Sequence, residues 1–249
     1  MEIITSINTT RRPIRNTLDL NCQKKEVRQF GVSGLMANAE SCTEMRDMAS
    51  SKNVRAGETL FWEDDLTEYA YFLTDGTMKA YKLLPNGRSQ IVRFIAVEEI
   101  IASTCFDTHT YSTEALGDCT VLQLPKKRFD KLLSKDPVLI KSVASKLALE
   151  LQQTQKQILL LGRMPAVERV SSFLLDIAER QNSQNEEFEP GFVIELPMAR
   201  NDIADYLGLT IETVSRAFSK FRRDGLIDLP RPNLVRLRDQ TGLQRQSTM

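Results

Sequence analysis

Seven residues near the middle of the chain, Ile140, Ala144, Leu147, Leu151, Thr154, Ile158 and Leu161, follow one another at intervals of 4, 3, 4, 3, 4 and 3. Only Ala144 and Thr154 interrupt the large apolar side chains. Asp136-Pro137 opens the run, and Gly162 and Pro165 close it. A helix that covers a globular core shows a wider apolar stripe. A two-position seam of this kind favours pairing with another helix, as in a coiled coil. The spacing therefore predicts a long helix over 135–163, with those seven residues facing a second copy of the chain. The alternative is a plain core helix.

The seam divides a chain of 249 residues into parts of different texture. Residues 1–28 are polar and basic without a sustained period and read as a flexible tail. The part over 29–134 has a β texture from about Glu44 to Leu124. Its short apolar runs are separated by turn signals: RAGETLF, DDLTEYAYFLTDGTMKAYKLL, PNGRSQIVRFIAV and ALGDCTVLQLP. Asn86-Gly87 sits between two strand-like runs, as in a hairpin turn. Signals at this density predict a small antiparallel barrel or jelly roll. Beyond Pro165, residues Val167, Val170, Phe173, Leu174 and Ile177 begin another helix. QNSQNEEFEPG reads as a polar loop, and a smaller domain completes residues 164–249.

Within that domain NDIADYLGLTIETVSRAFSKFRRDGL has the rhythm of two short helices. Ile203, Ala204 and Leu207 share one face of the first. Gly208 supplies the positive φ of a sharp turn, and Thr210 is a good N-cap for the second helix. Val214, Phe218 and Phe221 give the second helix its buried face. The opposite face must then carry Glu212 and Arg216, four apart, with Ser215 beside them. Two short helices joined through a glycine match the DNA-binding helix-turn-helix, whose second helix enters the major groove by its N-terminal part. Arg216 can donate to guanine O6 and N7, Glu212 can accept from a cytosine amino group, and Ser215 can bond either way. The bland alternative is a solvated Glu212–Arg216 ion pair.

From Arg216 to Arg238 seven basic residues (Arg216, Lys220, Arg222, Arg223, Arg231, Arg236 and Arg238) face two acidic ones, Asp224 and Asp228, in a chain whose net charge is zero. Such a local excess fits phosphate contact. LIDLPRPNLVRLRD reads as a strand, a turn and a strand, a wing beside the two helices.

Other classes find less support. Cys22, Cys42, Cys105 and Cys119 form no CxxC pair, and His109 is the sole histidine. Those spacings do not suit a zinc or iron–sulfur site. They fit reduced thiols of a cytoplasmic protein, with a redox-responsive Cys105 or Cys119 as the alternative. No run approaches the roughly 18 apolar residues that span a bilayer, and no nucleophile–base pair, P-loop or metal constellation indicates an enzyme.

The stretch MARNDIADYLGLTIETVSRAFSKFRRDGLI closely resembles the DNA-binding helices of the CRP/FNR family of bacterial transcription regulators, and most of all the FNR/FixK branch. The resemblance runs in order over about residues 45–240. It implies an α+β chain: a cyclic-nucleotide-binding-like β-barrel (jelly roll), a dimerisation helix and a winged helix-turn-helix. It implies that Glu212, Ser215 and Arg216 read a TTGAT-N4-ATCAA-like palindrome as a homodimer. Arg200, Thr210, Thr213 and Lys220 are the expected phosphate contacts. Pro85-Asn86-Gly87-Arg88 falls where related activators touch RNA polymerase. Such proteins activate genes of microaerobic respiration and nitrogen fixation.

The departures from the family point away from a cofactor. The tight N-terminal cysteine cluster of the iron–sulfur members is missing, and the late cysteine position holds Leu122. Where cyclic-nucleotide readers carry a Gly-Glu and an Arg-Ser pair, EEIIASTCFDTHTYSTEAL brings Glu98 and Glu99 and no arginine. Neither an iron–sulfur cluster nor a cyclic nucleotide is expected, and one histidine argues against haem. The competing expectation is a small-molecule or redox sensor whose barrel gates DNA binding. Ala199 stands where the family commonly has a capping Ser or Thr. That loss costs about 1 kcal/mol unless Asn201 or Asp202 compensates.

Overall fold

The computed structural model describes residues 35, 37–102, 105–182 and 191–247. The expected tail at 1–28, with Cys22, lies outside them, as do residues 183–190 of the expected polar loop. The described chain opens on helix α1 (Ala39–Met48). It continues as strands β1 (Ser50–Val54), β2 (Thr59–Phe61), β3 (Tyr69–Asp75), β4 (Met78–Leu83), β5 (Ser89–Ile95), β6 (Ile100–Ala102), β7 (Ser112–Ala115) and β8 (Cys119–Pro125). Helices α2 (Lys126–Lys135), α3 (Pro137–Arg163) and α4 (Ala166–Gln181) follow, and then β9 (Val193–Glu195). The two short helices are α5 (Arg200–Leu207) and α6 (Ile211–Arg223). Strands β10 (Ile227–Arg231) and β11 (Leu234–Leu237) and helix α7 (Gln240–Ser247) end the described part.

The first eight strands form two antiparallel sheets, in the orders β1-β8-β3-β6 and β2-β7-β4-β5. The chain passes back and forth between the sheets, except that β4 and β5 pair as a hairpin in the second, and the two sheets enclose a shared core, as in a jelly roll. Val54, Phe61, Leu73, Met78, Ile95 and Val121 fill the space between the sheets. The expected hairpin turn is present: Gly87 adopts φ +78° and its N–H donates to Leu84 O at 2.9 Å. One reading needs correction. The β texture does not begin at Glu44, because Glu44 to Met48 belong to α1. Asn38 caps that helix through Ser41 N–H at 2.8 Å, an N-terminal signal the sequence does carry.

Asp136 caps α3, accepting from Val138 and Leu139 N–H at 2.9 and 3.2 Å. It also accepts from Asn38 N–H at 2.9 Å and so ties α3 to the start of α1. Burial alone would raise the Asp136 pKa, but the hydrogen bonds from Asn38, Ser41, Leu139 and Val138 outweigh it and hold the carboxyl below its ordinary 3.8. A depressed pKa means stability that is present above the ordinary value and lost as pH falls through the lower, folded one. Asp136→Asn keeps a capping oxygen but makes it neutral, and is expected to cost about 1 kcal/mol at neutral pH through weaker hydrogen bonds. It should also remove part of the acid sensitivity below about pH 4. Melting temperature against pH for both proteins checks this, and curves parallel throughout would contradict it.

Helix α3 leans on the jelly roll through Leu139 and Ser142, which are buried. Of the seam, Ile140, Ala144, Leu151, Thr154 and Ile158 are exposed and Leu147 and Leu161 are half-buried. Leu149 and Leu159 are exposed as well and lie outside the seam. Among the described residues no helix is long and apolar enough to cross a membrane.

Candidate nucleic-acid interface

The two short helices form the expected pair. Helix α5 ends at Gly208, whose φ of +62° and ψ of +40° lie in the left-handed region. A Cβ there would meet Leu161 and Arg169 at ordinary distances of 3.5 and 3.6 Å. Space therefore tolerates a methyl group and the backbone angle does not. Gly208→Ala should destabilise the domain by about 1 kcal/mol, read as a lower melting temperature; an unchanged one would contradict the strain argument. Thr210 Oγ1 accepts from Thr213 N–H at 3.3 Å and so caps α6. The same oxygen lies 3.0 Å from Thr213 Oγ1.

On α6, Val214, Ala217, Phe218 and Phe221 are buried against Ile203, Ala204 and Leu207. That packing fixes the rotation of the helix and turns Glu212, Ser215, Arg216 and Ser219 to the outside, all exposed. Among the described residues no ion pair within 4 Å joins Glu212 to Arg216. The Glu212 carboxyl is held below the usual carboxylate range first by its own backbone N–H, then by the Thr210 hydroxyl, with Arg216 a lesser influence. It is thus ionised at neutral pH and can act only as an acceptor.

The other predicted contact residues are differently placed. Thr213 and Lys220 line the same shallow hollow as Ser215, Arg216 and Arg223, where the start of α4 borders α6. Lys220 Nζ also holds Asp224 at 3.0 Å and Gln246 Oε1 at 3.1 Å. Arg200 is engaged within the domain: its guanidinium lies 3.6 Å over the Phe218 ring, and Nη2 donates to Pro232 O at 3.3 Å. Burial lowers its pKa. It braces α5, α6 and the wing together, a duty that competes with phosphate contact. Arg238 is paired with Asp228, Nε to Oδ2, at 2.6 Å. The two acidic residues of the basic segment are thus matched by Lys220 and Arg238, and the excess positive charge resides on the arginines that remain. The wing is a sheet of order β10-β11-β9. Its third strand, β9, lacks a local signal and pairs with β11 across the domain.

Asp202 gives the answer to the missing cap at Ala199. Its Oδ2 accepts from Ala199 N–H at 3.0 Å, the return half of a capping box, while the Ala199 methyl accepts nothing. Arg169 on α4 ties the site to the long helix. Its guanidinium donates to Leu161 O at 2.8 Å, Met164 O at 2.8 Å and Leu207 O at 3.0 Å. One side chain thereby joins the end of α3 to the end of α5.

In the jelly roll, Arg93 is the residue the sequence reading missed. It comes from β5, before the Glu98–Leu116 segment, and borders a cavity of about 330 Å³ lined also by Ile100, Phe106, His109, Tyr111 and Glu150. Its charge is already met by Glu150 at 3.4 Å and Glu99 at 3.6 Å. His109 is buried in a stack on Phe61, ring centroids 3.6 Å apart, and burial lowers its pKa. Burial likewise raises the Cys119 thiol, whose Sγ donates to Thr77 O and Gly117 O at 3.3 Å each. A buried thiol with a raised pKa is a poor redox centre. Cys42 is buried and Cys105 exposed.

Residues 168–246 match the Crp-like helix-turn-helix domain, and residues 51–136 match the cyclic nucleotide-binding domain. The chain is 37% identical over 206 residues to the nitrogen fixation regulation protein FixK of Bradyrhizobium diazoefficiens, covering 83% of this chain and 85% of that one. It is 34% identical over 213 residues to the transcriptional activatory protein AadR of Rhodopseudomonas palustris, covering 86% and 87%. Its fold superposes on the structure of FixK2 from Bradyrhizobium japonicum with a TM-score of 0.74 at 32% identity, over 81% of this chain and 98% of that one. With a jelly roll, a long helix and a winged helix-turn-helix in that order, the chain belongs to the CRP/FNR family of transcription regulators, on its FixK-like side.

Proposed function

We propose that the chain is a sequence-specific transcription activator that binds DNA as a homodimer and controls genes of microaerobic respiration or nitrogen fixation. One observation carries the reading: α6 buries one whole face and presents Glu212, Ser215 and Arg216 together on the other. In this reading Arg216 takes the guanine and Glu212 the cytosine of one G·C pair in each half of a TTGAT-N4-ATCAA-like palindrome. Thr210, Thr213 and Lys220 contact phosphate, with Arg200 holding the helices in place behind them. Residues 135–163 are the dimerisation helix, joined at an apolar seam from Ile140 to Leu161. They separate an effector-like domain at 29–134 from the DNA-binding domain at 164–249. A two-fold dimer places its two recognition helices about one helical turn apart, which suits a palindrome.

The protein works in the cytoplasm with RNA polymerase as its partner, through the turn at 85–88. Neither an iron–sulfur cluster nor a cyclic nucleotide is required. Control then lies in synthesis or degradation of the protein. A second reading rests on the cavity beside Arg93: a small molecule seated there would gate the DNA domain.

Transcription in vitro with purified RNA polymerase tests the activator reading. Transcript from a promoter carrying the palindrome should rise on adding the protein alone, and a scrambled site should abolish the rise. An unchanged or lower yield would overturn it. A rise that needs an added small molecule would favour the second reading.

A further inference from the structure

The first helix of the reading pair is docked on the β4–β5 hairpin of its own jelly roll. Lys79 Nζ lies between Glu114 Oε1 at 2.9 Å and Asp202 Oδ1 at 3.1 Å, and all three side chains are largely buried. Ser89 Oγ donates to Asp205 Oδ2 at 2.7 Å, and Gln90 Nε2 donates to Asp205 O at 2.5 Å. Between these bonds the Tyr206 ring packs on Phe94 and Phe173, with centroids 5.0 and 5.8 Å away. From α3, Gln157 Nε2 donates to Tyr206 O at 2.9 Å. Asp202 thus serves two sites at once, returning the cap of α5 through one oxygen and holding Lys79 with the other.

Three features make this dock more than incidental packing. Helices α5 and α6 form one packed unit, so whatever holds α5 holds the reading face. The long helix also meets that unit directly: Arg169 bridges Leu161 O at the end of α3 to Leu207 O at the end of α5, and Gln157 of α3 holds Tyr206 O. Docking also leaves Glu212, Ser215 and Arg216 exposed, so the docked arrangement does not occlude the reading face. In a dimer the second half-site is bound intramolecularly, and its gain depends on how well the geometry of the linked modules matches the spacing. One base pair of extra spacer moves a half-site by about 3.4 Å and rotates it by roughly 35°. Only a reading helix fixed to the dimer frame can tell such spacings apart.

We propose that Lys79 and Ser89 are positioning residues for DNA reading: by holding Asp202 and Asp205 they set each reading helix at the half-site spacing of the palindrome. The proposal rests on the DNA-reading role assigned above. Spacing selectivity is then a property of the jelly roll as much as of the DNA-binding domain, although neither residue approaches DNA.

The test uses the full chain and three duplexes: the N4 palindrome and versions with the spacer one base pair shorter and longer. A single half-site and melting temperature serve as controls. The wild type should prefer N4 by about 100-fold. The double variant Lys79→Met, Ser89→Ala should narrow that preference to about tenfold or less, with half-site affinity unchanged and a single cooperative melt retained, its midpoint lowered because Glu114 and Asp202 lose their partner. Lys79→Arg, which keeps the charge, should keep the preference. A double variant that retains full spacing selectivity would overturn the proposal. So would one whose half-site affinity falls as much as its palindrome affinity, since that is a loss of reading or of fold. If the wild type binds none of the palindromes yet melts cooperatively, the DNA-reading role itself fails and this proposal falls with it.

Discussion

Arg216→Ala is expected to lower affinity for the palindrome by roughly 2–6 kcal/mol: in the proposed reading each half-site loses a bidentate guanine contact worth about 1–3 kcal/mol, and a dimer has two. The loss is confined to DNA that carries the G·C pair, and discrimination at that position relaxes. Arg216 is exposed, and among the described residues it has no carboxylate partner, so the substitution leaves the domain's stability alone. Fluorescence anisotropy with wild-type and G·C-substituted duplexes measures both effects. An equal loss on all sequences would assign Arg216 to phosphate. An unchanged affinity would remove it from the interface.

A comparable effect is expected far from DNA. Ile158 lies on the seam and is 63% exposed in the single chain. Ile158→Glu places two like charges face to face in a paired helix, and nothing in the chain's own core is disturbed. The protein should sediment as a monomer with an unaltered melting temperature when dilute. Palindrome affinity should fall by about 10²- to 10⁴-fold, the avidity that linked half-sites confer. A protein that remains a dimer would show that the seam is not the contact between protomers. Exposed Leu149 and Leu159, on other faces of α3, would then be the residues to examine.

Local signals made the reading helices legible. Gly208, Thr210 and the spacing of Val214, Phe218 and Phe221 act within a few residues of one another. They fix the turn, the cap and the buried face, and hence by exclusion the face that reads. Asp136-Pro137 announced α3 for the same reason, and LIDLPRPNLVRLRD its hairpin. What escaped is of two kinds. Helix α1 carries a cap at Asn38, but its apolar residues are few and Ser41 and Cys42 do not stand out as core. Helices α2 and α7, local elements as well, were not anticipated either. The other misses are non-local. Strand β9 exists through its pairing with β11. Arg93 reaches the cavity by belonging to β5. The bond between Lys79 and Asp202 spans 123 residues of sequence. No window of sequence contains such contacts, which arise only when two surfaces meet.

The role of Arg200 shows the same limit from the other side. Its position at the start of α5 suggests phosphate, yet Phe218 and Pro232 engage its guanidinium. Likewise Asp202 reads as an ordinary first-turn acid, while in the fold it replaces part of a cap and joins two domains.

The most direct test of the whole account is equilibrium binding of the purified protein, in air and without added ligand, to a TTGAT-N4-ATCAA duplex and to a scrambled control at several salt concentrations. Affinity for the palindrome should exceed that for the control about 10³-fold or more at physiological salt. Affinity for both duplexes should fall as salt rises, through the phosphate contacts they share. Equal affinity for the two duplexes would contradict base reading by the 212–216 face. Selectivity that emerges only on removing oxygen or adding a small molecule would contradict the claim that the fold reads DNA without a cofactor.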